Sequence, residues 1–278
     1  MSGTASRTDG VGAPASSSLA TAQLEVGVFG AAQIEEAAVF LEEHGFAILR
    51  GLYEEPTLVE LDAELARQQT LLLRGQLPPR CGTEVLDDPD AAVDGQQFAH
   101  YVCHVTEVSA ITRHAVVHPA VIAAMDRLLG PQRWLLEDDR FGVVYQDARP
   151  GERSGYSRIG WHTDFQSGPH LRTWPSVAFT IHLDATSPQN GFLRVVPGSH
   201  RGGTDGIPLG FEKVPGEVAI YCERGDVLLH HSDLWHAAAR ATDDGSGAVR
   251  RHVRGGWYGG ERLDPGHGID DFVKNARR

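Results

Sequence analysis

The sequence predicts a mainly β fold with helices at its N-terminal end, and three observations carry that prediction. Helical periodicity is confined to the first half of the chain. From Trp134 to Gly260, short apolar stretches recur between Gly, Pro, Asn and Asp, the pattern of many short strands joined by turns. The length of 278 residues, with 41% hydrophobic and 22% charged residues, is ordinary globular chemistry and enough chain to bury a large core.

Taken in order, residues 1–22 are mostly Ser, Gly, Ala and Thr. They hold too few large apolar side chains to offset ordering entropy and read as a disordered tail. The tail has no hydrophobic segment and a single Arg, so it reads as neither a secretory signal nor a transit peptide. Residues 23–278 read as one domain, a helical layer over about 31–131 and a β-core over about 134–260. Ala31–His44 places Ile34, Ala37, Ala38 and Leu41 on one face, and Gly45 supplies a stop. Phe46–Leu52 reads as a short strand. Pro56–Arg74 puts Leu58, Leu61, Leu65 and Leu72 on one stripe and opens with Glu55-Pro56. Residues 75–100, with Pro78, Pro79 and Pro89, read as an irregular connection. His118–Leu129 is a third helix, bounded by Pro119 and Gly130-Pro131. Strands are expected at Phe141–Tyr145, Ile159–Phe165, Val177–Leu183, Phe192–Val196, Val218–Cys222, Val227–His231 and Val249–Tyr258. Together these describe a sandwich or barrel with helices packed on one sheet.

Composition excludes several functions. A net charge of -12 opposes binding to nucleic acid or anionic lipid. No run of 18 apolar residues offers a membrane span. Cys81, Cys103 and Cys222 are too few and too scattered for a disulfide framework or a zinc finger, which points to a reducing, cytoplasmic setting. No Gly-rich stretch matches a phosphate-binding loop, and no HExxH helix suggests a zinc hydrolase. A small-molecule substrate remains the natural partner. The 14 histidines, about twice average usage, raise the prospect of a metal site.

An open iron site needs two His and one carboxylate on one face of the metal. His-x-Asp in extended chain suits it, because residues i and i+2 point to the same side. The sequence has three matches: His162/Asp164, His182/Asp184 and His231/Asp233. The first is flanked by aromatics and opens into a long polar loop, where a site can be reached. The second runs into a turn, and the third ends a strand. The first is favoured, but spacing alone leaves all three open.

Several separated motifs, in order, resemble the phytanoyl-CoA dioxygenase family of Fe(II)/2-oxoglutarate-dependent oxygenases. They are Trp161-His-Thr-Asp-Phe165, Asn190-Gly191, Val196-Pro-Gly-Ser-His-Arg201, Gly225-Asp-Val-Leu-Leu-His-His-Ser-Asp-Leu-Trp-His236 and Val249-Arg250. His44–Gly51 is similar to the family's opening strand. The resemblance covers about residues 30–260 and implies a double-stranded β-helix, a distorted, cupin-like jelly roll. It implies that His162, Asp164 and His236 hold Fe(II), that Arg250 pairs with the distal carboxylate of 2-oxoglutarate, and that O2 is the oxidant. Arg254 is the alternative if the register slips by two. Tyr145 and Thr163 fall on the cofactor side, with a plain core residue as the competing reading of Tyr145. By the same resemblance His200 lies in a turn, and His230 and His231 support the site without ligating.

Two departures bear on chemistry. Family members often carry a hydroxyl near the distal His that helps bind 2-oxoglutarate, and here Ala238 stands in that place, so Arg250 carries more of the task. The stretch 166–175 differs from that of ectoine hydroxylase, whose motifs around Trp161 and Pro197 are otherwise similar, so ectoine is disfavoured as substrate. Asp164 also argues against halogenation, because related halogenases replace this carboxylate by a small residue. The resemblance therefore implies oxidation of an unactivated C–H, most simply hydroxylation, with epimerisation, desaturation or cyclisation as alternatives. A cupin-like metal isomerase and a β-barrel binding protein are the rival readings. Arg158, Gln166, His170, Arg172 and Trp174, in loops at the barrel mouth, are the candidate substrate contacts. The Arg-rich, Lys-poor composition, with two Lys (Lys213 and Lys274), fits a high-GC bacterial source and specialised metabolism such as antibiotic biosynthesis.

Overall fold

The computed structural model describes residues 27–82, 92–93, 96–97, 99–137, 141–148, 159–164, 175–202, 206–208, 210–239, 241–242 and 249–262. The expected tail, 1–22, lies outside them. The chain opens with β1 (Val28–Gly30), α1 (Ile34–His44), β2 (Phe46–Arg50) and α2 (Glu55–Leu73). Gly45 ends α1 as expected. It takes φ +86°, and its N–H donates to Leu41 O. Pro56 sits in the first turn of α2, and Leu58, Leu61 and Leu65 form its buried stripe.

The connection at 75–100 holds a 3-10 turn at Pro79–Cys81 and a two-residue hairpin, β3 (Ala92–Val93) with β4 (Gln96–Gln97). Then follow β5 (Tyr101–Val102), α3 (Val105–Val108), α4 (Ala110–Val116) and α5 (Pro119–Leu129). The sequence reading assigned no element to α3 or α4. Both are too short for a periodic stripe, and α4 depends on the Ser109 side chain, which accepts from Thr112 N. The remaining strands are β6 (Trp134–Leu135), β7 (Val144–Ala148), β8 (Ser176–His182), β9 (Leu193–Val195), β10 (Val218–Ile220), β11 (Val227–His231), β12 (His236–Ala238) and β13 (Arg250–Tyr258).

Eight strands form one sheet in the order β1-β2-β11-β8-β13-β7-β5, with β6 pairing the end of β13. A second sheet has the order β10-β9-β12. Strand parity sorts the side chains. Val227 and Leu229, Val177, Phe179 and Ile181, Val253 and Tyr145 face the helices and join Leu41, Leu61, Leu65 and Met125 in the main core. Phe46, Ile48 and Leu228 point the other way and pack against Val195 and Ile220 of the second sheet. The fold is therefore the jelly roll that the sequence predicts: two β-sheets, with N-terminal helices covering the outer face of the larger one.

Ile159–Phe165 departs from expectation. Within its described part it is no strand but a single bridge, His162 opposite His236. The aromatic and apolar residues that made it read as a strand serve other ends. Trp161, for example, is buried and donates through its indole N–H to Glu212 O.

Candidate metal centre

Between the two sheets lies a cavity of about 230 Å³. Its walls include Ala178, Thr180 and His182 of β8, Leu228 and His230 of β11, Arg250, His252 and Arg254 of β13, and Leu193, His236 and Ala238 of the smaller sheet. His162 and Asp164 close one side.

Backbone pairing brings the three ligand candidates together. His162 and His236 exchange both N–H···O bonds, each 3.0 Å, and Asp164 N donates to Ser232 O at 2.8 Å. The imidazole ring centres of His162 and His236 stand 4.1 Å apart. One ligand atom from each of His162, Asp164 and His236 falls within 4.8 Å of the other two. His162 Nδ1 donates to Gly160 O at 2.9 Å, and His236 Nδ1 donates to Leu234 O at 2.8 Å. A carbonyl only accepts, so both Nδ1 atoms carry the proton and both Nε2 atoms keep a lone pair for a metal. Burial pulls the His236 imidazole down to about 3, against the pull of Asp164, so it is neutral at ordinary pH, as a ligand must be. Burial alone would raise the Asp164 carboxyl. The close approach of His230, His236 and His162 outweighs it and holds Asp164 well below the usual carboxylate range. Two imidazoles and one carboxylate clustered beside a cavity form a 2-His-1-carboxylate triad suited to Fe(II).

The rival pairs are accounted for by other contacts. Asp184 takes Arg251 in a two-pronged pair, with Nε at 2.9 Å and Nη2 at 2.8 Å, and also accepts from Arg251 N. It holds β13 in place and does not face the cavity. His231 Nδ1 accepts from Asp233 N at 3.1 Å, and the ring packs against His200. His230, on the opposite parity, reaches the cavity and places Nε2 3.4 Å from Asp164 Oδ2. It is positioned to orient the carboxylate.

Arg250 also lines the cavity. Burial lowers its guanidinium from the usual value, yet an arginine stays charged. Among the described residues no carboxylate pairs with it, and its Nε makes no hydrogen bond. An uncompensated buried cation beside the triad is what a dicarboxylate co-substrate would neutralise. Arg254, the alternative, shares the face, but its Nε donates to Gln146 Oε1 at 3.1 Å.

Two cofactor-side expectations need correction. Tyr145 is 2% exposed and sits in the main core, because β7 turns this residue toward the helices. Its neighbour Gln146, on the opposite parity, lines the cavity. Thr163 is likewise not among the described residues that line it. His182, of the second His-x-Asp pair, faces the cavity, and neither of its ring nitrogens makes a hydrogen bond among the described residues. Gln146 and Tyr101 are cavity residues that sequence reasoning missed. Strand alternation in the sequence already puts His252 on the face of Arg250 and Arg254, and all three line the cavity. Arg158, Gln166, His170, Arg172 and Trp174 lie outside the described residues.

The sequence matches the phytanoyl-CoA dioxygenase family over residues 41–251. The chain belongs to that family. Solved structures share its fold at low identity. EctD from S. alaskensis with bound Fe is 17% identical, covers 84% of this chain and 79% of its own, and superposes with a TM-score of 0.63. The non-heme alpha ketoglutarate dependent carbocyclase SnoK from nogalamycin biosynthesis is 18% identical, with 87% and 90% covered and a TM-score of 0.59. The epimerase SnoN from the same biosynthesis is 18% identical, with 84% and 92% covered and a TM-score of 0.57. No curated protein matches the sequence. No helix among the described residues of this family member is long and apolar enough to cross a membrane.

Proposed function

We propose that the chain is an Fe(II)/2-oxoglutarate-dependent dioxygenase that oxidises an unactivated C–H of a small molecule. The observation that carries the reading is the triad of His162, Asp164 and His236, clustered within 4.8 Å on a cavity that also holds an unpaired Arg250. When bound, iron and 2-oxoglutarate supply the oxidising chemistry from O2. The chain supplies geometry. His162 and His236 present Nε2, Asp164 presents a carboxylate oriented by His230, and Arg250 fixes the far end of the co-substrate. Cys81, Cys103 and Cys222 are buried thiols, which suits a reducing cytoplasm.

Hydroxylation is the simplest outcome. A second reading, epimerisation or cyclisation in specialised metabolism, is supported by the likeness to SnoN and SnoK. The triad and Arg250 suit any of these, so the product decides. Hydroxylation adds one oxygen to the substrate mass, cyclisation or desaturation removes two hydrogens, and epimerisation leaves the mass unchanged.

The test is succinate release from 2-oxoglutarate in air by iron-loaded wild type and His162→Ala. Iron- and His162-dependent succinate, even without a substrate, is the expected result. Wild type that holds iron yet neither releases succinate nor binds 2-oxoglutarate would turn the reading toward a cupin-like isomerase or a binding protein.

A further inference from the structure

We infer that His182 supplies a second hydrogen bond to the distal carboxylate of the co-substrate, beside Arg250, and so helps the site select a dicarboxylic over a monocarboxylic 2-oxo acid. This rests on the 2-oxoglutarate reading above.

Four observations converge on His182. It is 7% exposed and faces the cavity from β8. Among the described residues neither Nδ1 nor Nε2 makes a hydrogen bond. A buried polar ring left so is costly unless something enters to satisfy it. Register pairs His182 with His252 across β8 and β13, two residues along β13 from Arg250. Arg250 lies close enough for its charge to lower the His182 imidazole further, beyond the larger effect of burial.

These facts set the chemistry of the missing partner. The ring is neutral, so one nitrogen donates and the other accepts. The neighbouring guanidinium has no counter-ion among the described residues and demands an anion. A carboxylate answers both, taking Arg250 and one imidazole N–H. His252 is a poorer candidate, because its Nε2 already meets Gln146 Oε1 at 3.1 Å. Arg254 donates to the same Gln146 oxygen, and an arginine can only donate, which fixes that atom as oxygen and His252 Nε2 as a second donor to it. Gly191 completes the enclosure. A Cβ there would stand 3.0 Å from Arg250 Nη1, so the glycine allows the β8–β9 connection to close over the guanidinium. Ala238, also on the cavity wall, offers no hydroxyl. On the cavity wall near Arg250, His182 is a side chain whose ring donor is uncommitted among the described residues.

The experiment is an anaerobic titration of full-length, Fe(II)-loaded protein, followed by the visible charge-transfer absorbance of the iron–keto acid chelate. Two ligands are compared: 2-oxoglutarate, and 2-oxovalerate, which has the same chain length and a methyl in place of the distal carboxylate. H182L should weaken 2-oxoglutarate about tenfold or more and leave 2-oxovalerate within twofold. H182Q, which keeps an N–H at similar reach, should recover most of the loss. If H182L does not fold, H182N, too short to reach, should show the same selective loss. Equal weakening of both ligands, or no change for 2-oxoglutarate, overturns the inference and leaves the functional reading intact. Wild type that holds iron but binds no 2-oxoglutarate overturns both.

Discussion

Asp164 and Asp184 share a His-x-Asp setting yet have opposite surroundings, and the difference is testable residue by residue. Asp164 is held ionised among His162, His230 and His236. Asp184 is tied to Arg251. Asp164→Ala should therefore remove stoichiometric iron binding and succinate release while the protein stays folded. Asp184→Ala should keep iron binding. It should instead lower stability by about 1–3 kcal/mol, because Arg251 loses a charged, half-buried partner. Iron stoichiometry and thermal melts of the two variants, side by side, separate these outcomes. Iron retained by Asp164→Ala and lost by Asp184→Ala would reassign the triad.

At the scale of elements, the site depends on how strands are capped and covered. Gly191 ends the turn after β8 with φ +89°, where a side chain is strained, and an added Cβ would lie 2.9 Å from Ala239 O. Gly191→Ala should lower stability by about 1–2 kcal/mol and push Arg250 from its place, weakening 2-oxoglutarate while sparing iron. Helix α2 behaves differently. Leu61 is fully buried against the outer face of the large sheet. Leu61→Ala should cost about 2–5 kcal/mol in denaturant unfolding, yet leave iron affinity of the folded protein unchanged. The helices cover one face of the sheet; its other face lines the cavity.

For the whole molecule, the cavity between the sheets imposes a pH dependence. Burial lowers His182 and His236 to about 3, His231 to about 4 and His252 well below its usual value. In the unfolded chain these titrate near 6.5, so between about pH 6.5 and 4 the unfolded state binds more protons and stability falls on acidification. Each such histidine contributes about 1.4 kcal/mol per pH unit across its window. Asp164, lowered in the fold, contributes stability that is lost only as pH drops below the ordinary carboxylate value of about 3.8, so the two windows separate. Melts of metal-free protein from pH 7 to 4.5 should show the fall, and His182→Leu should make it shallower by one histidine's share without lowering the melting temperature at pH 7. A melting temperature independent of pH in that range would mean these histidines are not buried neutral.

Much of this was legible in the sequence. The stripes on α1, α2 and α5, the Gly45 stop and most strands were readable because 3.6- and 2-residue periods are local properties. Ordered motifs named His162, Asp164, His236 and Arg250. Spacing alone could not choose among three His-x-Asp pairs, because that choice is made by non-local partners: Arg251 takes Asp184, while Ser232 and His236 draw Asp164 and His162 inward. Nor could it tell Tyr145 from Gln146, since which parity of β7 faces the cavity is set by its register with β13. The unpartnered state of His182 likewise exists only once β8, β11 and β13 are side by side. Local periodicity determined which elements form and which residue types are at hand; strand register, a tertiary property, decided which side chains meet, because a shift of one residue exchanges the two faces of a sheet.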